Sequence, residues 1–172
     1  MRNLLIVVDM QNDFITGALA NPEGQKIVRK VADYIRNFDG DIVYTMDSHS
    51  KDSYMETQEG QKLPIPHCIA GTNGQEIVPE IREVLENRNA TRNIKHTFGC
   101  PELGKVAGMI GYDTIYFVGV CTDICVISNA MIFKAFAPET RIVVLKDMCA
   151  GVTPESHETA LKAMQACQID VE

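Results

Sequence analysis

Short apolar runs alternate with amphipathic patterns along the whole chain, and this alternation limits the possible folds more than any other feature. Residues 3–8 predict a strand whose aliphatic run is unbroken from Leu4 to Val8, as in a strand covered on both faces. Apolar residues between 22 and 35 keep the spacing of one helix face, and 41–46 predict a second strand. This order favours an α/β fold: a three-layer, doubly wound, mostly parallel sheet of five to six strands with helices on both faces.

The remaining elements follow the same alternation. Further strands are predicted at 91–95, 114–120 and 141–146, with a short last one at 169–171. Helices are predicted over 76–85, 102–109, 122–136 and 154–167, and an irregular stretch over 48–75. A chain of 172 residues without internal repeats or linkers is expected to form a single domain over 1–172.

Charge and composition exclude several classes of function. Sixteen basic against 23 acidic side chains give a net charge of −7, which argues against nucleic acid and anionic membranes as partners. The first apolar run is too short for a signal peptide, and none approaches the ~20 residues of a membrane span, so we expect a soluble, cytoplasmic protein. Neither a dinucleotide-binding nor a P-loop glycine motif is present, so no nucleotide cofactor is expected.

Three chemically active side chains follow strands of the predicted sheet. Asp9 comes directly after the run 3–8, Lys95 ends the third strand, and Cys125 stands in the first turn of the helix after the fourth. In such sheets ligands bind at the carboxyl ends of the strands, near the topological switch point. Alone, each residue has a simpler interpretation: a loop cap, a solvated lysine and a small buried thiol. If the three strands are neighbours, they form a nucleophile with a proton acceptor and a cationic partner.

The surroundings of two of these groups predict how they titrate. Asp9 ends a buried strand, so partial desolvation should raise its proton affinity. Thr122 or Asp123 can cap the following helix, which places Cys125 near unpaired amides and the positive end of the helix dipole. Cysteines in that position favour the thiolate and titrate at roughly 3.5–7.5.

A second set of residues could hold a metal ion. Asp47 and His49 follow the second strand, and residues i and i+2 of an extended chain point the same way. His67, within 63–68, could supply a third ligand. Two histidines and a carboxylate suit zinc, iron or manganese. The alternative is a pair of loop histidines that hold their loops by hydrogen bonds.

Taken in order, these segments resemble the isochorismatase-like cysteine hydrolases, in the branch related to nicotinamidases. The resemblance runs from residue 4 to about 165 and rests on Asp9-Met10-Gln11-Asn12-Asp13-Phe14, Gly17-Ala18-Leu19, Asp47-x-His49, His67-Cys68-x-x-Gly71-Thr72, Lys95-His96-Thr97-Phe98 and Gly119-Val120-Cys121-Thr122-Asp123-Ile124-Cys125-Val126. It implies a single hydrolase domain that converts a small carboxamide, such as nicotinamide or pyrazinamide, to a carboxylate and ammonia.

The resemblance also implies roles for individual residues. Cys125 would attack the amide carbonyl, Asp9 would carry its proton to the departing ammonia, and Lys95 would hold the thiolate. Water would then hydrolyse the acyl-enzyme. Family members carry a cis peptide four residues before the nucleophile, here Val120–Cys121. With it, the amides of Cys121 and Cys125 would form the oxyanion hole.

For the metal, the resemblance implies Asp47, His49 and His67 as ligands of a divalent ion, zinc ahead of iron or manganese, which binds the ring nitrogen of the substrate. Phe14, Gln11 and Tyr54 are the expected substrate-pocket residues, with Phe14 packed on the ring. Nicotinamidases usually have Asp-Trp-His and Trp-Pro-x-His, whereas this chain has Ser48, Leu63-Pro64 and no tryptophan. The second aromatic wall of the ring pocket is therefore missing or supplied by another residue, and Tyr54 is the candidate for it.

Other functions remain open on sequence grounds. The same three residues, Asp9, Lys95 and Cys125 (the triad), could cleave a carbamoyl or ureido group. The fold could also serve a binding protein without turnover. Isochorismate vinyl-ether hydrolysis is disfavoured, because that branch does not need the cysteine that is present here. A thiol-redox role would require Cys121 and Cys125 to cross-link, although their spacing is not the redox C-x-x-C. The family often assembles, so a homo-oligomer, dimer or tetramer, is expected.

Overall fold

A computed structural model describes all 172 residues and contains one parallel sheet. Its six strands lie in the order β3-β2-β1-β4-β5-β6. They span, in sequence order, Asn3–Val8, Asp41–Asp47, Thr91–Lys95, Thr114–Val120, Arg141–Ala150 and Asp170–Val171. The parallel sheet confirms the predicted fold class.

Seven α-helices connect and cover the strands. In chain order, α1 to α7 span Asn12–Ile15, Pro22–Asn37, Gln58–Lys62, Pro79–Asn87, Pro101–Ile110, Ile127–Phe136 and Pro154–Ala166. Two short helical turns are not α-helical. One is a 3-10 turn at Tyr54–Glu56, and the other is a π-helical turn at Thr122–Val126, which leads into α6. None of these helices is long and apolar enough to cross a membrane.

The core lies in two layers, one on each face of the sheet. Alternate residues of β1 point to opposite faces: Leu5 and Val7 join the layer under α2 and α4, and Leu4 and Ile6 join the layer under α6 and α7. Because β1 is buried on both sides, its sequence is apolar at every position from Leu4 to Val8.

The position of β1 locates the functional edge. From β1 the chain passes to β2 and β3 on one side, then crosses back so that β4 lies on the other side. The direction of winding therefore reverses between β1 and β4, and such a reversal opens a crevice at the carboxyl ends of the strands. Asp9 and the turn that carries Cys125 follow these two strands directly.

Several boundaries differ from those predicted. The helix expected from residue 76 begins at Pro79, because proline suits the first helical position and keeps the preceding residue out of the helix. Strand β5 continues to Ala150 instead of ending at Lys146, through pairing of Cys149 and Ala150 with the end of β4. The stretch 48–75, predicted as irregular, contains the 3-10 turn and α3.

Candidate active site and metal centre

Asp9 is completely buried at the carboxyl end of β1. Its backbone has a φ of 47°, in the left-handed region that residues other than glycine seldom adopt. Thr45, on β2, donates from its hydroxyl to Asp9 Oδ1 at 2.7 Å and accepts from the Asp9 N–H at 3.2 Å. Oδ2 has no well-aligned hydrogen-bond donor. One carboxylate oxygen is thus anchored, and the other is left to interact with charged or reactive groups.

Lys95 brings the triad together. Its Nζ lies 2.7 Å from Asp9 Oδ2 and 3.6 Å from Cys125 Sγ, and it donates to the Thr97 carbonyl at 3.1 Å. The suggestion that strands one, three and four are neighbours is wrong for the third, because β2 lies between β1 and β3. Two strand spacings amount to about 9–10 Å, which a lysine side chain can bridge together with a carboxylate.

Burial dominates the proton affinities of the triad. It raises the pKa of Asp9, although the Lys95 ammonium opposes this effect. Burial also raises the pKa of the Cys125 thiol well above its ordinary value, and the charge of Asp9 adds to the rise, while Lys95 acts against it. For Lys95, burial lowers the pKa, but Asp9 and Cys125 outweigh it and the pKa is raised. These shifts favour a neutral thiol at Cys125, next to the buried carboxyl group of Asp9.

The prediction of a low pKa for Cys125 is not supported, because its pKa is raised in the folded protein. Cys125 lies in a π-helical turn whose N-cap is Cys121, and no side chain caps it. Thr122 bonds instead to His157 Nδ1 at 2.8 Å, and Asp123 accepts from the Val152 N–H. The preference for a thiolate at a capped α-helix is therefore replaced by the cost of charging a buried sulfur.

The backbone leading to Cys125 has an unusual conformation. The peptide bond between Val120 and Cys121 is cis. Gly119, just before it, has a φ of +118°, and a Cβ at this position would collide with the Val8 carbonyl oxygen. Only glycine fits between β1 and β4 here. Cys121 and Cys125 both lie in the wall of the cavity at this edge of the sheet.

Four side chains form a compact cluster beside the triad. Asp47, His49, Glu59 and His67 each offer a ligand atom, and these atoms lie within 4.8 Å of one another. His49 Nε2 is 3.0 Å from Asp47 Oδ2 and 3.7 Å from Glu59 Oε2. His67 Nε2 is 3.4 Å from Glu59 Oε1 and 3.9 Å from Asp47 Oδ2. Ligands of tetrahedral zinc, at about 2.1 Å from the ion, stand roughly 3.4 Å apart, so these spacings fit a divalent metal.

Hydrogen bonds position the two histidines of the cluster. His67 Nδ1 lies 2.9 Å from the Ile65 carbonyl, which favours a proton on Nδ1 and directs Nε2 toward Glu59 Oε1 at 3.4 Å. His49 is placed by main-chain bonds to the 68–70 segment: its N–H donates to the Cys68 carbonyl at 3.0 Å, and its carbonyl accepts from Ala70 at 2.9 Å. Two distant loops are thereby joined at the cluster.

The electrostatics of the cluster couple it to the triad. Burial tends to raise the pKa of Asp47, but the hydrogen bond from His49 and the charge of Lys95 hold it below its ordinary value. Burial lowers the pKa of His67, yet the bond to Glu59 raises it overall. Lys95 Nζ is only 3.7 Å from Asp47 Oδ1. The same ammonium therefore lies close to a carboxylate of the cluster and to the carboxylate of Asp9.

The expected pocket residues fall in different places. Phe14 lines a cavity of about 490 Å³ that also contains Cys125 and the four residues of the cluster. Its ring centroid lies 5.4 Å from that of His67. Tyr54 is buried behind the cavity, where its hydroxyl donates to the Leu63 carbonyl at 2.8 Å, so it does not replace the missing wall. Leu63 itself lines the cavity.

Gln11 is likewise placed behind the cavity and not within it. It is fully buried, accepts from the Asp47 N–H at 2.7 Å and donates to the Asp47 carbonyl at 2.9 Å. A further bond reaches the Gln75 carbonyl at 2.8 Å. The side chain therefore fixes the backbone of a cluster residue and does not line the cavity.

Sequence reasoning missed two residues of this edge. Glu59 completes the cluster, but it comes from α3 within a stretch predicted to be irregular. Its only signal was a carboxylate between two histidines in the chain. No role was predicted for His96 from sequence, yet its Nδ1 bonds the Ser48 carbonyl at 2.9 Å and the residue lines the cavity.

Comparison with known proteins agrees with this geometry. The isochorismatase domain matches residues 3–172. A nicotinamidase/pyrazinamidase of Mycobacterium tuberculosis is 29% identical over 97% of this chain and 96% of its own length. A nicotinamidase of Saccharomyces cerevisiae is 26% identical over 97% of both chains. The crystal structure of a pyrazinamidase of Pyrococcus horikoshii in complex with zinc superposes with a TM-score of 0.85, at 33% identity, over 100% of this chain and 99% of that one. The chain belongs to the isochorismatase family.

Proposed function

We propose that this protein is a cysteine amidohydrolase that converts a small carboxamide of the nicotinamide or pyrazinamide type to a carboxylate and ammonia. The observation that carries the proposal is the contact of Lys95 Nζ with both Asp9 and Cys125. The nucleophile of this triad opens into the same cavity as the cluster of Asp47 and its neighbours. The names of the similar proteins support a hydrolase for amide C–N bonds.

Acylation follows from the arrangement of the triad. The thiol of Cys125 transfers its proton to Asp9 as the sulfur forms a bond to the amide carbon, and Lys95 stabilises the negative charge on sulfur. The main-chain amides of Cys121 and Cys125 receive the carbonyl oxygen as it becomes an oxyanion. Asp9 then returns the proton to the nitrogen, the C–N bond breaks, and ammonia leaves a thioester on Cys125.

Deacylation uses the same groups, with water as the attacking group and the sulfur of Cys125 as the leaving group. Water attacks the thioester carbon as Asp9 takes one of its protons, and the tetrahedral centre forms again in the same oxyanion hole. The C–S bond breaks, the proton returns to the sulfur of Cys125, and the carboxylic acid product departs. The raised proton affinity of buried Asp9 suits it to both transfers.

The cluster is proposed to bind zinc, with iron or manganese as alternatives. Asp47, His49 and His67 would hold the ion, and Glu59 would be a fourth ligand. Two imidazoles and two carboxylates suit these metals. When bound, the ion supplies a Lewis acid for a ring nitrogen of the substrate. Phe14, across the cavity, is placed to pack against that ring.

The decisive experiment measures ammonia release from nicotinamide and pyrazinamide by the zinc-loaded protein. Cys125→Ala should abolish release, and His49→Ala should reduce it through loss of metal, while Cys167→Ala, at an exposed thiol, should match the wild type. Release that persists in Cys125→Ala would contradict the mechanism. Release only from carbamoyl or ureido compounds would retain the triad and exclude the pyridine and pyrazine amides. No release from any of these compounds would favour a binding protein.

A further inference from the structure

The cavity of the proposed amidase has one wall that the reaction leaves unused. Lys62 and Gln58 both line the cavity, and both belong to α3. They are four residues apart, so they lie on the same face of the helix. Both residues are exposed to solvent, and neither side chain makes an ion pair or a hydrogen bond with another residue of the protein. The rim of the cavity thus presents a hydrated ammonium and a hydrated amide group that a ligand can bind.

The neighbouring acid does not neutralise this lysine. Glu59 lies between Gln58 and Lys62 in sequence, but its carboxylate faces His49 and His67 at 3.7 and 3.4 Å. Asp9 is likewise engaged by Lys95 at 2.7 Å. The carboxylates of Glu59 and Asp9 therefore both face other groups and not Lys62. With a divalent ion in the cluster, the surroundings of the cavity carry an excess of positive charge.

The cavity also has room beyond a single ring amide. Its volume of about 490 Å³ is in the range of sites that hold drug-sized ligands. Phe14, Leu19, Phe98 and Ile124 make other parts of the lining apolar. Cys125 and α3 border the same cavity, and its volume leaves space for a ring amide that carries a further substituent.

From this arrangement we propose that the preferred substrate is a ring carboxamide with a second, anionic substituent, a carboxylate, which Lys62 binds and Gln58 supports. The inference rests on the proposed amidase activity and specifies its substrate class. A carboxylate can accept hydrogen bonds from the ammonium and from the amide NH₂ of the glutamine at the same time. A neutral amide such as nicotinamide leaves both donors to water.

The test compares two amides that differ only in the charged group: nicotinamide and 5-carbamoylpyridine-3-carboxylate. Zinc-loaded wild type should show a higher kcat/KM for the carboxylate-bearing amide by about five-fold, the size expected of a partly exposed ion pair. Lys62→Met should remove this preference and leave nicotinamide hydrolysis unchanged. Lys51→Met, at an exposed lysine outside the cavity, is the matched control and should keep the preference.

A binding measurement separates recognition from turnover. In the zinc-loaded Cys125→Ala protein, titration calorimetry should give tighter binding of the carboxylate-bearing amide, and adding Lys62→Met should abolish the difference. Equal affinity for the two amides, or a preference that survives Lys62→Met, overturns the inference while nicotinamide hydrolysis still supports the amidase. Failure of the wild type to hydrolyse either amide overturns the amidase proposal and this inference with it.

Discussion

Lys95 Nζ lies 2.7 Å from Asp9 Oδ2, although β2 separates the strand that ends at Lys95 from the strand that precedes Asp9. The pair is buried, with 1% and 0% of the two side chains exposed. A buried charge without its partner is strongly destabilising, so each residue requires the other. The same ammonium also touches Cys125, and the pair therefore serves both folding and the proposed chemistry.

Asp9→Asn should weaken both stability and catalysis. The substitution removes the negative charge that pairs with Lys95 and the base that accepts the Cys125 proton. We expect the free energy of unfolding, measured in urea, to fall by about 3–5 kcal/mol. Ammonia release should fall by about 10²–10⁴-fold. Asp33→Asn, in an exposed pair with Arg36, should change stability by less than about 1 kcal/mol. An Asp9→Asn protein as stable and active as wild type would refute both roles.

Glu59→Gln should weaken metal binding. The carboxylate lies 3.4 Å from His67 Nε2 and 3.7 Å from His49 Nε2, in the position of a fourth ligand. We expect zinc affinity, measured by competition with a chromophoric chelator, to fall by at least about ten-fold. Glu56→Gln, at an exposed acid of the preceding turn, should retain wild-type affinity. Unchanged affinity in Glu59→Gln would restrict the ligands to the other three side chains.

Gln11→Leu should disturb the cluster from behind. The side chain occupies both the N–H and the carbonyl of Asp47, and leucine of similar size leaves these buried groups without partners. Each lost partner costs about 1–3 kcal/mol of stability. Zinc affinity should fall as well, because the Asp47 backbone is no longer held. Circular dichroism during thermal unfolding and the chelator assay measure the two effects, and wild-type values in both would show that Gln75 and Ser48 suffice to hold this loop.

Stability should decline in alkaline solution partly through Cys149. Burial raises the pKa of this thiol to about 12, above the ordinary value of 9.0. Between these values the unfolded chain loses the proton and the folded chain keeps it, so stability is complete below about pH 9 and falls as pH rises. Cys149→Ala should make the decline shallower by up to about 1.4 kcal/mol per pH unit, measured by urea unfolding from pH 8 to 10.5. Cys167→Ala, at an exposed thiol, should leave the slope unchanged; an equal change in both variants would contradict the assignment.

Most elements were predictable because their causes are local. The apolar run of β1 reflects burial on both faces, and the Thr153-Pro154 start of α7 reflects capping. Apart from the start of α4 at Pro79, which a local rule for proline explains, the errors arose where tertiary contacts decided the outcome. Strand β5 extends to Ala150 only because β4 pairs with its end, and α3 forms within a stretch of weak local preference where Gly60 is packed against the Tyr54 backbone.

The same division applies to the candidate site. Asp9, Lys95 and Cys125 could be chosen from sequence, because each follows a strand and strand ends meet at one edge. The side chains that face the cavity could not be chosen from sequence, because their direction depends on the packing of loops that are far apart in the chain. Tyr54 and Gln11 lie behind the cavity and Lys62 lies in its wall, and nothing local in the chain distinguishes these positions.

By itself, the sequence determined the alternation of strands and helices, the parallel sheet and the choice of candidate reactive residues. These follow from hydrophobic periodicity and from the positions of residues after predicted strands, which are local properties. Only the tertiary structure decided the strand order, the reach of Lys95 across β2 and the entry of Glu59 into the cluster. It also decided the direction in which the pKa of Cys125 is shifted, because that depends on how completely the sulfur is removed from water. Distances and desolvation are properties of the packed molecule, and no segment of the chain contains them alone.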